Sequence, residues 1–575
     1  MALTQDNRQA KTPRRRTTQG KPSVEGDAVA PNRFENARWT ALVWAMTGSL
    51  LLWLALPPMA LAPLAWAAPI PWLLLARRKQ LPGRRPYVQL WAAGFGFWMA
   101  ALHWLRLPHV ATSLGWGALS FYLAFYLPVF VGLTRVAVHQ LRVPLLLAAP
   151  VVWTGLELAR GHLLTGFTMA SLGHTQYRWI ELIQIADLTG AYGVGFVVMF
   201  VAAGLARTIR TESHGWTARP LIPVALLLAA VLLYGHLRAD HTTRPGPTIA
   251  LIQGSIDTEM KADPEKRQRV HAQYVELSFD ARRGRDGLDL IVWPETMFRE
   301  PLIIYSSDAR PSADDDWTLA DLSEHARRSR DNIRLLAEAL NTPLLLGIDT
   351  IDFGPDTAVH YNSALHVASD GQLLERYDKM HPVMFGEYIP LGDLFPWLYR
   401  LTPLSRGLTA GRQAVAIEVD GALLAPSICY ETVVPHLIRR QINQLAAAGR
   451  EPDVLVNLTN DGWFWGSSAL DLHLICGVFR AVECRKPLVI AANTGFSAWI
   501  DGNGRILRQG PRRDTGTIVA EIGLDRRRSQ YLHWGDWPAG GCLAACVGLA
   551  VIGYHLRKRV GVCGGTDRSE STPTS

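Results

Sequence analysis

The sequence predicts a chain of two architectures: a polytopic α-helical membrane bundle of about eight spans, and an α/β domain inserted before the last of them. Three observations carry this. Residues 39–236 form long apolar runs nearly free of acids, whereas 255–535 hold a normal soluble mixture of charges. From 248 onward the apolar runs shorten to strand length and alternate with helix-like stretches, the pattern of an α/β domain with a covered sheet. The basic residues gather in short clusters between the long apolar runs, as membrane topology determinants do. At 575 residues the chain exceeds one ordinary domain. A net charge of +8 would suit nucleic acid, but its placement beside membrane spans argues against that partner.

Residues 1–38 are polar and basic, with "TPRRRTTQGKP" at 12–22, and read as a disordered cytoplasmic tail rather than a cleavable signal. Apolar runs long enough to cross a bilayer, roughly 17–25 residues, then recur near 39–55, 58–76, 88–106, 114–134, 143–159, 189–206 and 220–236. Together they make a seven-span membrane domain over 39–236. Pro57 and Pro58 leave a very short joint between the first two, which could instead form one hairpin that does not cross fully. The eighth run lies near 539–556, and 557–575 reads as a second disordered cytoplasmic tail.

The charges order these spans. With the tail inside, the loops after spans two, four and six are inside as well. They hold Arg77, Arg78, Lys79, Arg84 and Arg85, then Arg135 and Arg142, then Arg207, Arg210 and Arg219. Arg557, Lys558 and Arg559 follow the eighth span. Every cluster falls on one side, which puts 237–538 on the outer side. Seven spans exceed what an anchor requires. The outer stretch "ELARGHLLTGFTMASLGHTQY", with Glu157, Arg160, Gly166 and two histidines, either shapes an access site for lipid or peptide or merely closes a loop.

In the outer domain, "TIALIQGSI", "LDLIVWPET", "PLLLGIDTI", "NSALHVAS", "LLAPSICYE", "DVLVNLTND" and "PLVIAANTG" are strand-length and β-rich. Helix-like stretches at 264–281, 322–340, 433–448 and 469–485 separate several of them. The polar piece 301–321 reads as a solvated loop. Its Asp314, Asp315 and Asp316 are adjacent and cannot all point at one ion, so no metal site is expected. The six cysteines, at 429, 476, 484, 542, 546 and 563, show neither a disulfide framework nor zinc spacing.

Chemistry collects at the ends of these strands. "IVWPE" ends at Glu295 and "SICYE" contains Cys429; the turn after "NSALHVAS" leads through "ERYDKMHPVMFGEYIP" to Lys379 and Glu387. Sites in α/β sheets gather beyond the carboxyl ends of strands. A glutamate can take a thiol proton, and a lysine can lower the thiol pKa and meet a forming oxyanion. Each residue also has a plainer reading. Cys429 could be a small core residue, Glu295 a helix cap, Lys379 a solvated lysine, and Glu387 a loop brace bonded to backbone amides. All the plain readings together require coincidence at three strand ends. No histidine sits in an obvious position to pair with Cys429; His473, at a helix-like run, is not near it in sequence.

"WPE", "YDKMHPVMFGEYIP" and "ICYE", in this order, resemble the nitrilase superfamily with its Glu-Lys-Cys triad. The seven preceding spans and the one that follows resemble its membrane-bound branch, the apolipoprotein N-acyltransferases. Further matches are "ELARGHLLTGF", "LIQGSI", "NLTNDGWFWGS" and "RAVECRKPLVIAANTGFSAWI", so the likeness runs from about 39 to 556. It implies a four-layer αββα sandwich between the seventh and eighth spans. It implies Cys429 as nucleophile, Glu295 as general base and Lys379 as oxyanion stabiliser, with Glu387, Tyr430 and Glu431 supporting. Two departures stand out: Ala262 in "EMKADP", where the family often has a tryptophan, and Met384 in "VMFGE", where it tends to read "VPFGE".

The activity implied is acyl transfer in two steps, without a cofactor. A phospholipid donates its acyl chain to Cys429, and the α-amine of a diacylglyceryl-modified apolipoprotein then takes it. The implied setting is the bacterial inner membrane, with a multi-pass chain, a periplasmic catalytic domain and a monomeric state. One rival is a membrane-tethered nitrilase-type amidase using water as acceptor; seven spans argue against it. Another is a scaffold built on a dead nitrilase fold, against which stands the complete triad.

Overall fold

The computed structural model describes residues 39–209, 217–256, 267–285, 287–309, 318–355, 357–392, 394–401 and 407–563. The tail 1–38, Ala262, Asp314–Asp316 and residues 564–575 lie outside the described residues.

Helices occur where the apolar runs predict them, but they are not eight equal rods. Among the described residues four are long and apolar enough to cross a membrane, by length and composition: Thr112–Gln140, Ala191–Thr208, Leu221–Ala239 and Trp537–Arg557. The first run gives a 16-residue helix, Thr40–Ala55. The second breaks into Leu64–Ala67 and Ile70–Arg77, because Pro63 and Pro69 interrupt it and proline cannot continue a helix. Helix Leu145–His162 carries Glu157 and Arg160 on its buried side, which lowers its apolar character. The last helix extends to Cys563, so 557–563 is helical rather than a disordered tail, because basic residues end a membrane span without ending a helix.

Exposure sorts these helices. Ala191–Thr208 is buried along most of its length, at the centre of the bundle. Leu221–Ala239 leaves Ile222, Leu226, Leu233 and Leu237 outward, and the last helix leaves Val547 and Val551 outward. Apolar faces of that extent fit a lipid surrounding. Helix Leu145–His162 meets the last helix at close range: a Cβ on Gly155 would stand 2.7 Å from the Cys542 backbone. Small residues permit such backbone approach in membranes. Cys546 is buried in the same seam.

Among the described residues the α/β domain has two sheets. One holds β1 (Arg244–Gln253), β2 (Leu290–Val292), β3 (Phe298–Tyr305), β4 (Leu344–Phe353), β5 (Ala358–Val367), β6 (Leu373–Asp378) and β13 (Gly516–Leu524). Its order is β13-β1-β2-β4-β5-β6, with β3 also pairing β4. The other holds β7 (Ile417–Val419), β8 (Ala422–Ile428), β9 (Val454–Thr459), β10 (Leu488–Ala492), β11 (Ala498–Ile500) and β12 (Ile506–Gln509), in the order β12-β11-β10-β9-β8-β7. β1, β2 and β4 are parallel, as are β8, β9 and β10. β6 is antiparallel to β5, which is antiparallel to β4, so β6 ends on the same side as β2.

Between the sheets Ile249, Leu251, Val292 and Leu345 meet Leu424, Ile428, Val456 and Val489. Helices Arg267–Arg282 and Leu319–Leu340 cover the outside of the first sheet. Helices Pro435–Ala447 and Ser468–Cys484 cover the outside of the second, and their apolar contacts run without a break into the membrane helices. The domain is therefore an αββα sandwich whose second helical layer rests on the membrane half. One expectation fails. The start of the supposed loop 301–321 belongs to β3, where Leu302 and Ile303 are buried. Arg299, Glu300 and Pro301 conceal it, since an edge strand tolerates charge and proline that a central one does not.

Candidate active site

Glu295, Lys379 and Cys429 each follow a strand end by one to three residues. Glu295 follows β2 through Trp293 and Pro294, Lys379 follows β6 directly, and Cys429 follows β8 directly. Gly347 on β4 admits the turn at Glu295, because a Cβ there would lie 2.1 Å from the Pro294 carbonyl oxygen. Cys429 opens the short 3-10 helix Cys429–Val433 with φ +53°. This left-handed conformation is costly for a residue with a Cβ. It turns the chain sharply where the strand ends.

Lys379, almost fully buried, lies between two carboxylates: its Nζ donates to Glu387 Oε1 at 2.7 Å and to Glu295 Oε1 at 3.2 Å. Asn362 Nδ2 donates to Glu295 Oε1 at 2.7 Å, and the Asn460 backbone N–H donates to Glu295 Oε2 at 3.0 Å. The second oxygen of Glu387 accepts from the Val383 N–H at 2.8 Å. Glu387 thus meets both the ammonium and a loop amide. Burial opposes charge on Lys379, but Glu295 and Glu387 outweigh it and raise its pKa well above the usual lysine value. Lys379 lowers the thiol pKa as expected, but other causes outweigh it. Burial pushes Cys429 well up, Glu295 adds to this, and Lys379 offsets only part. Burial and Glu295 therefore favour the protonated sulfur.

Glu431 is wholly buried and accepts four hydrogen bonds. Its donors are Tyr377 Oη and the backbone N–H groups of Ile428, Met380 and His381, at 2.7–3.0 Å. It ties the turn after β8 to the turn after β6, and so Cys429 to Lys379. Burial raises its pKa, while the N–H of Ile428 and the Tyr377 hydroxyl pull it down. Tyr430 points toward the membrane half, where its hydroxyl donates to the Gly166 carbonyl at 2.9 Å. Gly166 closes three successive left-handed residues, Leu164, Thr165 and Gly166, in the stretch singled out for its outer position. Met384 pairs with Tyr388 in the loop that presents Glu387.

The sequence reading left out Asn362, Asn460 and Asp461, and named His473 only as distant from Cys429 in sequence. Asn460 follows the end of β9, where position next to a strand end was the available signal; Asn362 lies in the middle of β5 and had none. Among the described residues no three His, Cys, Asp or Glu side chains gather where they could hold a metal ion.

Fold and site together define a domain of the carbon-nitrogen hydrolase class, and the family model described as Carbon-nitrogen hydrolase matches residues 248–531. A second model, described as Apolipoprotein N-acyltransferase N-terminal domain, matches residues 48–204. The chain belongs to the apolipoprotein N-acyltransferase family. It is 33% identical to the apolipoprotein N-acyltransferase of Rhodopirellula baltica, over 89% of this chain and 97% of that protein. It is 34% identical to the one from Geobacter metallireducens, over 89% of this chain and 95% of that protein. With the Pseudomonas aeruginosa relative the identity is 29%, over 90% and 97%.

Proposed function

We propose that this chain moves a fatty acyl chain from a phospholipid, through a thioester on Cys429, to the α-amine of the N-terminal diacylglyceryl-cysteine of an apolipoprotein. The observation that carries the reading is the buried Lys379 between Glu295 and Glu387, at the strand ends where Cys429 turns, in a domain seated on apolar helices. Family membership supports the same acceptor and the same chemistry.

In the first step Glu295 takes the thiol proton as sulfur attacks the ester carbonyl. Lys379 and nearby backbone amides meet the negative oxygen. The C–O bond breaks, the proton passes from Glu295 to the departing lysophospholipid oxygen, and a thioester remains. In the second step Glu295 takes a proton from the attacking amine, the C–S bond breaks, and the thiolate recovers that proton. The amide product leaves. Glu387 holds Lys379, Glu431 holds the two turns together, and Tyr430 holds the turn against the membrane half.

Both substrates carry lipid, which accounts for a membrane-bound enzyme. Residues 39–236 form seven spans and 539–556 the eighth, with the shorter helices crossing as part of the bundle. The catalytic domain 237–538 faces the periplasm of an inner-membrane protein, and 1–38 and 557–575 are cytoplasmic tails. Glu295, Lys379 and Cys429 come from one chain, so a monomer suffices. The test supplies phospholipid and a diacylglyceryl peptide to the purified chain. N-acylated peptide is the expected product; free fatty acid with unmodified peptide would support the water-using amidase instead, and neither product would support a scaffold.

A further inference from the structure

His473 is a buried ionisable side chain that the two-step mechanism leaves without a task. It lies on helix Ser468–Cys484, beneath the turn that carries Cys429. Its Nε2 is 3.1 Å from the Cys429 carbonyl oxygen and 2.9 Å from Thr432 Oγ1. Its Nδ1 is 3.1 Å from Asp461 Oδ1. A carbonyl oxygen only accepts, and so does an ionised carboxylate. Each ring nitrogen therefore faces an acceptor, and the arrangement is complete only when both carry protons. Burial disfavours that charge, but Asp461 outweighs it and raises the pKa of the ring.

The Cys429 carbonyl has two more partners. Asn457 Nδ2 donates to it at 3.3 Å and Thr432 Oγ1 at 3.2 Å. Three side chains from three elements thus meet one oxygen, and that oxygen belongs to the residue whose backbone is left-handed. Such a conformation persists only where its surroundings over-determine it. The Cys429 carbonyl and the Tyr430 N–H are also two ends of one rigid peptide plane. Fixing the carbonyl therefore sets the thiol's position and the direction of that N–H together.

We propose that His473, backed by Asp461, is a positioning residue for the nucleophile: it clamps the Cys429 carbonyl and so holds the strained turn that aims the thiol at the acyl donor. The proposal rests on the acyl-transfer reading for its rate assay, but not for its second readout, alkylation of Cys429 by a small neutral chloroacetamide. Both are measured on the full chain in detergent.

His473→Leu removes the donor and keeps most of the volume. It should lower the single-turnover rate of Cys429 acylation by about 10²-fold, as misplacement of a reacting group does, with the KM for phospholipid unchanged. Chloroacetamide labelling should slow as well. His473→Gln places an amide N–H near the Nε2 position and should restore the rate to within about tenfold of wild type. If His473→Leu does not fold, the Gln variant and Thr432→Val carry the test, the latter removing one carbonyl donor and lowering the turnover rate without raising KM. Wild-type acylation and labelling in the Leu variant would overturn the clamp. So would a Gln variant as slow as Leu while retaining the wild-type melting temperature. If wild type is alkylated at Cys429 but transfers no acyl group, the acyl-transfer reading falls, and the alkylation difference between Leu and Gln still decides the role of His473.

Discussion

Glu387→Gln separates a group that serves the chemistry from one that only braces a loop. The carboxylate accepts from two donors at once, Lys379 Nζ at 2.7 Å and the Val383 N–H at 2.8 Å. Glutamine has one acceptor oxygen, so its NH₂ must face one of the two donors. The first loss is a hydrogen bond to a charged group, worth about 1.5–3 kcal/mol, and the donor left unpaired adds about 1–3 kcal/mol. Their total of about 2.5–6 kcal/mol, expressed in the transition state, corresponds to about 10²–10⁴-fold in rate, at 1.36 kcal/mol per factor of ten. Lys379 keeps Glu295 beside it, so the loss comes from position and local charge rather than from a neutral lysine. The assay is single-turnover acylation of Cys429 by labelled phospholipid, with melting temperature as the control for folding. Glu387→Asp keeps two acceptors on a shorter arm and should fall between wild type and Gln. A Gln variant that acylates at the wild-type rate would refute the reasoning and leave Glu387 as a loop brace.

Glu295→Gln should move two readouts in opposite directions. Acyl transfer should fall by about 10²–10⁴-fold with loss of the base, whereas thiolate-dependent alkylation of Cys429 at fixed pH should quicken. The sign follows because the Glu295 charge raises the thiol pKa, and removing it increases the thiolate fraction; slower alkylation would contradict this. Cys429→Ala should leave a folded protein that forms no acyl-enzyme, and Cys429→Ser should be nearly as poor, since a hydroxyl is a far weaker nucleophile at this pH. Asp187→Asn should lower the melting temperature of the full chain. That buried carboxylate pairs with Arg238 and Arg485 and accepts from Tyr234, and breaking such a pair costs about 3–5 kcal/mol. For topology, a cysteine at Asp370 should react with an impermeant thiol reagent in cells with a permeabilised outer membrane, and one at Lys79 should stay protected. The reverse pattern would overturn the periplasmic placement.

The strands readable in the sequence were those buried on both faces, such as Val454–Thr459 and Leu488–Ala492, because continuous apolar runs bounded by turns have few other uses. Strand ends then located Glu295, Lys379 and Cys429. Strands such as Ile506–Gln509, with three exposed residues in four, lack that signal, and Phe298–Tyr305 hid behind its charges. The membrane half was legible as apolar runs, but prolines divided some of them into unequal helices, and the buried Glu157 and Arg160 lowered the apolar character of another. Long-range polar contacts were not legible. Asp187 meets Arg485 across 298 residues, and His473 meets Cys429 across 44. Local periodicity carries no information about such partners; only the packing of helix Ser468–Cys484 against the second sheet brings them together. Lys379 was legible as a cation that lowers the thiol pKa, while the extent of burial and the nearness of Glu295, which outweigh it, were not.

The central claim is that Cys429 carries the acyl chain between donor and acceptor. It is tested most directly by incubating the wild-type chain with acyl-labelled phospholipid and no acceptor. The label should then sit on Cys429, be released by neutral hydroxylamine, and pass to the amine when a diacylglyceryl peptide is added. Acylated peptide formed by Cys429→Ala, or formed by wild type with no hydroxylamine-sensitive label at Cys429, would contradict it.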